Sequence, residues 1–289
     1  MKTLRLGLLA LVASLLAAGS AWARPPVWIV RDKDSELVIF GSVHLLPPGV
    51  DWRPPALTQA LKRADDVWFE LPIDPSTEAL TQQLAARLGV LAPDQSLIKM
   101  LPQADAQRLM RVAAKYGVDL AVVDRLKPWL ADIALSAAAY KKAGADGQDG
   151  VEKAVAAAVP AGAQRRAFET AREQIEILAG ASEKDQIASL SETLTEMEDR
   201  PDEFDVLVRA WMAGDVAALD KEALAPLRTA SPALFRRLVS DRNARWTQTL
   251  DARLKGKGRT VVVVGMGHLI GPDGVPARLR ALGYRVEGP

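Results

Sequence analysis

Apolar runs of strand length gather at the two ends of this chain, and helical periodicity fills the long middle. Val27 to Val30 and Glu36 to Phe40 flank the polar stretch Arg31 to Ser35, a pattern that predicts a β-hairpin. The second run passes straight into Gly41-Ser42-Val43-His44. Leu45 to Pro55 carries four prolines, which lack a backbone N–H, so no regular element persists there. Leu57 to Ala64 reads as a short helix and Asp66 to Leu71 as a strand stopped by Pro72.

From Thr77 to about Gly256 the spacing is helical. Leu80, Leu84 and Leu88 share one face, and Pro102 opens a helix with Ala106, Leu109, Met110 and Ala113 that Gly117 closes. Trp129 to Tyr140 continues the pattern. Thr170 with Glu173 forms a capping box ahead of Ile175 and Leu178, with Gly180 at the far end. Pro201 opens a helix ending at Gly214, and Ser231-Pro232 opens a long one through Phe235, Leu238, Trp246 and Leu254. Between Tyr140 and Thr170, Gln164 to Phe168 is a candidate short strand. Four valines at Val261 to Val264 return the chain to strand, a helix covers Pro276 to Leu282, and Tyr284 to Val286 ends it in strand.

Strands at both ends with helices between predict an α/β fold. One mixed sheet, from about 27–72 and 259–287, would bear a helical insertion over about 75–255 in a single domain, 24–289. Pairing the end strands would bring together the only two histidines, His44 and His268. Each follows an apolar run as Gly-x-x-His, at the carboxyl end of a strand, where open α/β sheets place ligands. Neutral imidazole is a common transition-metal ligand, and two imidazoles with one carboxylate leave room for water and substrate. Gly41 and Gly265 sit where the backbone can approach a ligand closely, and Gly267 would permit a conformation closed to other residues.

The paired Gly-x-x-His motifs, the strand ending Val67-Trp68-Phe69-Glu70-Leu71-Pro72 and the closing VVVVGMGHLIGPDGVPARLRALGYRV resemble the TraB/PrgY/GumN family in its bacterial GumN-like branch. That family includes the Tiki metalloproteases and is related more distantly to erythromycin esterases and ChaN-like proteins. The resemblance implies His44, His268 and Glu70 as the metal-dependent peptidase residues, with Glu70 either a ligand or a general base. It implies a divalent cation, Mn, Co or Zn, acting on a peptide or a small ester-like substrate. Glu169 with Gln174, and Arg242 with Asn243, also match family patterns and are candidates for a supporting role.

Each residue has a plain structural alternative. A histidine at a strand end can be a hydrogen-bonded structural group, Glu70 a sheet-edge charge, Glu169 a helix cap, and Arg242 part of a solvated helix face. The tryptophans at helical spacing read as core.

Composition sets the surroundings. Lys2 and Arg5, the apolar run Leu6 to Ala18 and Ala21-Trp22-Ala23 read as a secretory signal peptide cleaved near Ala23, so the mature chain is expected in the periplasm or outside the cell. The signal takes two basic residues and no acidic ones from totals of 37 and 36, leaving the mature chain one negative charge from neutral. That balance gives no electrostatic case for a nucleic-acid partner, and no second apolar run reaches membrane-spanning length. Without cysteine there is no disulfide, lipidation site or thiol nucleophile. No Gly-x-Ser-x-Gly elbow or phosphate-binding loop is present, and Gly265-x-Gly267 has the wrong spacing to Gly271 for a dinucleotide fingerprint. Ser42, two residues before His44, would share its strand face and could pair with it.

Two readings remain: an exported metal-dependent hydrolase, and a non-catalytic periplasmic binding or regulatory protein of pheromone-shutdown or polysaccharide-associated type. Oligomeric state is not legible.

Overall fold

The computed structural model describes residues 24–145 and 150–289. The signal-peptide stretch 1–23 lies outside the described residues. β1 (Val27–Arg31) and β2 (Ser35–Ser42) form the hairpin, with Val27 opposite Phe40. β3 (Asp66–Phe69) is two residues shorter than predicted, because the chain bends at Glu70. β4 (Gln164–Ala167) joins β3 in parallel, and β5 (Gly258–Gly265) lies in parallel between β3 and β2. β6 covers only Val286–Glu287 and pairs with β1; Tyr284, expected in strand, is not part of it. The sheet runs β4-β3-β5-β2-β1-β6, so the end strands do meet in one sheet. The expected insertion is not wholly helical, since β4 returns from within it to extend the sheet edge.

β5 is central, flanked on both sides, and its burial explains four successive valines: Val261 to Val264 are each no more than 1 % exposed. Trp28, Phe40, Trp211 and Trp246 fill the main core around it, the last two as expected of tryptophans at helical spacing. A second cluster lies among the helices Gln103–Tyr116, Pro128–Lys142 and Glu183–Asp199. Two predicted core positions are on the surface instead: Leu80, one turn before the buried Leu84, is 41 % exposed, and Met110, on the flank of the stripe that holds Leu109 and Ala113, is 42 % exposed.

The caps are as read. Thr170 and Glu173 make both bonds of the capping box, and Gly117 and Gly214 end their helices with φ of 71° and 70°. The long helical stretch from Pro232 to Leu254 is interrupted by a π-turn at Arg236–Ser240, which the periodicity did not reveal. Such bulges recur at functional sites. Among the described residues no helix is long and apolar enough to cross a membrane.

Candidate active site at the carboxyl edge of the sheet

Ser42 of β2 stands opposite Gly265 of β5, so the two Gly-x-x-His segments leave the sheet at one level. His268 ends a short 3-10 turn, Met266–His268, while Glu70 and Glu169 follow the neighbouring strands β3 and β4. The Glu169 N–H donates to the Glu70 carbonyl at 3.0 Å, extending the ladder and fixing both carboxylates at the edge.

Arg242, on the helix just past the π-turn, joins these residues. It is 7 % exposed, not part of a solvated face. Its Nε and Nη2 donate to the two Glu169 oxygens, each at 2.8 Å, in a bidentate fork. Nη2 also donates to Glu70 Oε2 at 2.7 Å, and Nη1 meets His268 Nε2 at 2.9 Å. A guanidinium has only donors, so Nε2 must accept and the imidazole proton sits on Nδ1. That proton is donated to Asn243 Oδ1 at 2.7 Å, and the Asn243 amide in turn donates to the carbonyls of His268 and Asp273. Trp246, one helical turn on, packs its ring 4.4 Å from the imidazole and 4.8 Å from the guanidinium, and its Nε1 donates to Glu169 at 3.1 Å. Glu169 thus belongs to this ion cluster and not to the helix cap, which Thr170 makes.

His44 stands across the same space. Its Nδ1 pairs with Glu152 Oε1 at 2.7 Å, and Ser42 Oγ donates to that oxygen at 2.6 Å. Ser42 is therefore bound to the carboxylate and forms no nucleophile pair with His44. Glu152, in the first turn of Val151–Ala158, carries no sequence signal of its role beyond its place ahead of an alanine-rich run.

Gly265 shows how closely the groups converge. A Cβ there would lie 3.0 Å from Glu70 Oε1, 3.8 Å from His268 Cδ2 and 3.9 Å from His44 Nε2. The Gly265 N–H itself donates to Glu70 Oε1 at 2.6 Å. At Gly41 a Cβ would run into Met266, and the Gly41 carbonyl accepts from Trp211 Nε1 at 2.9 Å. Gly267 does not adopt the positive φ expected of it; a Cβ there would sit 3.3 Å from Leu224 Cδ2, so its smallness serves packing. Gln174 reaches Glu70 at 3.4 Å.

The electrostatics follow from these contacts. Glu152 beside His44, whose side chain is 73 % exposed, raises the imidazole to about 9, so it is charged at neutral pH. Burial pushes the Glu152 carboxyl up, but His44 and Ser42 more than offset this and its net shift is downward. Burial likewise pushes Glu70 up, yet His268 when protonated, Arg242 and His44 together bring it down to about 2. His268 is driven down to about 4 by burial, which keeps it neutral as the Arg242 contact demands.

Among the described residues, no three His, Cys, Asp or Glu side chains are already drawn around one point as a metal cage. The donor chemistry nevertheless fits a divalent cation. Both imidazoles are held through Nδ1 by a carboxylate or amide oxygen, the orienting arrangement typical of metal-bound histidines, which leaves Nε2 as the ligand atom. Glu70 supplies the carboxylate. Two things must give way: the proton on His44 and the Arg242 contact at His268 Nε2.

The site opens into two cavities. One of about 830 Å³ extends beneath the helices and the other, of about 520 Å³, lies beside Asp74, Thr77 and Lys153; His44, Glu70 and Gln174 border both.

Neither the curated proteins nor the solved structures include a match to this chain. A family model does match, over residues 26–288, and with both Gly-x-x-His segments meeting at one sheet edge the chain belongs to the TraB/PrgY/gumN family.

Proposed function

We propose that this chain is an exported hydrolase of amide- or ester-linked substrates, acting in the periplasm or outside the cell, with His44, His268 and Glu70 holding a divalent metal. The observation that carries the reading is the shared orientation of the two histidines, each fixed through Nδ1 and each near the point beside Gly265 that Glu70 also reaches. The groups themselves argue for an added activator. Glu70 is held by Arg242 and the Gly265 N–H, His268 has its Nε2 engaged by Arg242, and His44 is paired with Glu152 through Nδ1. A bound divalent cation lowers the pKa of its water towards neutrality and polarises a carbonyl. Glu152 and Asn243 orient the imidazoles. Arg242, fastened to Glu169, remains beside the site as a fixed positive charge for a developing oxyanion.

One observation favours the non-catalytic reading. Arg242 already satisfies Glu70, Glu169 and His268 as a closed ion cluster, which suits a binding or regulatory protein whose sheet edge needs no metal. Calorimetric titration with Mn, Co and Zn separates the two. Stoichiometric binding with proton release by the mature protein, lost in His44→Ala/His268→Ala, supports the hydrolase. No binding by either protein leaves the non-catalytic reading.

A further inference from the structure

The larger cavity is walled mainly by helices. Ile133 is 45 % exposed, and Ala137, one turn further along Pro128–Lys142, is exposed beside it; both line the cavity. On the opposite side of that helix Ala131 and Leu135 are fully buried in the second core. A helix apolar on both sides is made to be covered on both. Ile177, Leu207, Leu234 and Leu238 continue the apolar wall from three other helical segments, until it meets the polar end at Glu70, Arg242 and His268.

Little in this wall could serve a peptide. Each residue of a bound peptide brings a backbone donor and an acceptor that need partners once buried. Helical walls have spent their own backbone groups. Of the polar side chains deeper in, Ser189 donates to Asp132 at 3.0 Å and Gln186 to the Ala181 carbonyl at 2.9 Å, and the hydroxyls of Ser136 and Tyr140 are too few to pair a peptide backbone along its length. A saturated chain asks for no such partners, and a cavity of about 830 Å³ falls in the range, roughly 300–1,000 Å³, that encloses a drug-sized ligand. The smaller cavity across the site differs in kind, with Asp74, Thr77, Glu78 and Lys153 on its walls.

We propose that the substrate is an aliphatic acyl chain joined by an ester or amide bond to a polar group. The chain lies in the helical cavity, the polar group in the smaller one, and the bond to be broken at their junction beside His44 and Glu70. This rests on the hydrolase reading. Water's oxygen adds to the acyl carbonyl carbon, the bond from that carbon to oxygen or nitrogen breaks, and a water proton ends on the leaving atom. The products are a carboxylic acid and an alcohol or amine.

Binding tests the proposal apart from catalysis. Acetate, hexanoate, decanoate and trileucine are titrated calorimetrically into the metal-free His44→Ala/His268→Ala protein. Affinity is expected to rise about fourfold per methylene until the cavity fills. Ala137→Trp, which fills the cavity, and Ile133→Asp, which charges an already exposed position, each weaken decanoate at least tenfold while the far-ultraviolet spectrum is kept. Chain-length-independent binding, trileucine bound more tightly than decanoate, or decanoate binding unchanged in a folded variant overturns it. Decanoate binding without hydrolysis of any acyl ester by the metal-loaded wild type would sink the hydrolase reading alone.

Discussion

Replacing Arg242 with alanine is the most informative perturbation of this fold. It leaves the carboxylates of Glu70 and Glu169, with side chains 14 % and 4 % exposed, without their shared cation, and His268 Nε2 without its donor. Two considerations bound the magnitude. Glu70 falls from an ordinary 4.5 to about 2, which at about 1.4 kcal/mol per unit is roughly 3–4 kcal/mol of stabilisation of its charged form, shared among His268, Arg242 and His44 and so an upper bound for Arg242. Removing one partner of a buried ion pair costs about 3–5 kcal/mol. At about 2–4 °C per kcal/mol for a chain of this size, Tm should drop by roughly 6–20 °C near neutral pH. The pH dependence is the sharper test. In the wild type the folded pKa of Glu70 is depressed, so its contribution is present above about 4.5 and is lost as pH falls towards 2. In Arg242→Ala, burial acts on Glu70 with less opposition, its pKa rises, and stability returns as acid neutralises it. Thermal melts followed by circular dichroism should therefore converge on acidification. Parallel melting profiles at every pH, or a loss of less than about 2 °C at neutral pH, would refute the idea that this guanidinium neutralises the sheet edge.

Two further substitutions probe separate features. Gly265→Ala meets no backbone barrier at φ −52°, but its Cβ lies 3.0 Å from Glu70 Oε1. It should cost about 1–3 kcal/mol by thermal melting and, by displacing Glu70 from the Gly265 N–H, weaken metal binding in the same titration as the wild type. Glu196 is raised to about 7 by burial and by Glu203 and Glu192, so its stabilising contribution is present below about 4.5 and lost as pH rises through 7. Glu196→Gln should therefore raise Tm above about pH 7 and leave it unchanged below about pH 4.5, and an equal gain at both pH values would dismiss the repulsion.

The sheet was legible because its strands are written in residues that must be buried. Val261 to Val264 can be little else, and finding both histidines after such runs placed them at one edge. Arg242 was harder, because an arginine on a helix looks the same whether it faces water or a pair of carboxylates; only the family pattern marked it. Glu152 left no trace, since its role depends on the place where an alanine-rich helix begins relative to His44, a tertiary fact. Leu80 and Met110 fit a helical stripe in one dimension but lie beyond the reach of the neighbouring core. The π-turn escaped because one extra residue in a turn scarcely disturbs a pattern averaged over a long helix.

That π-turn makes the position of the site a matter of counting. A helix advances about 100° per residue, so the extra residue held in Arg236–Ser240 sets the direction in which everything after it points relative to everything before. With the bulge in place, Arg242, Asn243 and Trp246 all present themselves to the sheet edge while Phe235 and Leu234 still fill the core on the other side of it. Were the same residues wound as a regular α-helix, the hydrophobic face before the turn would be intact but the three site residues would be turned away by about 100°. The chemistry of the site thus hangs on the winding of five residues, which composition, charge and core packing alone do not register.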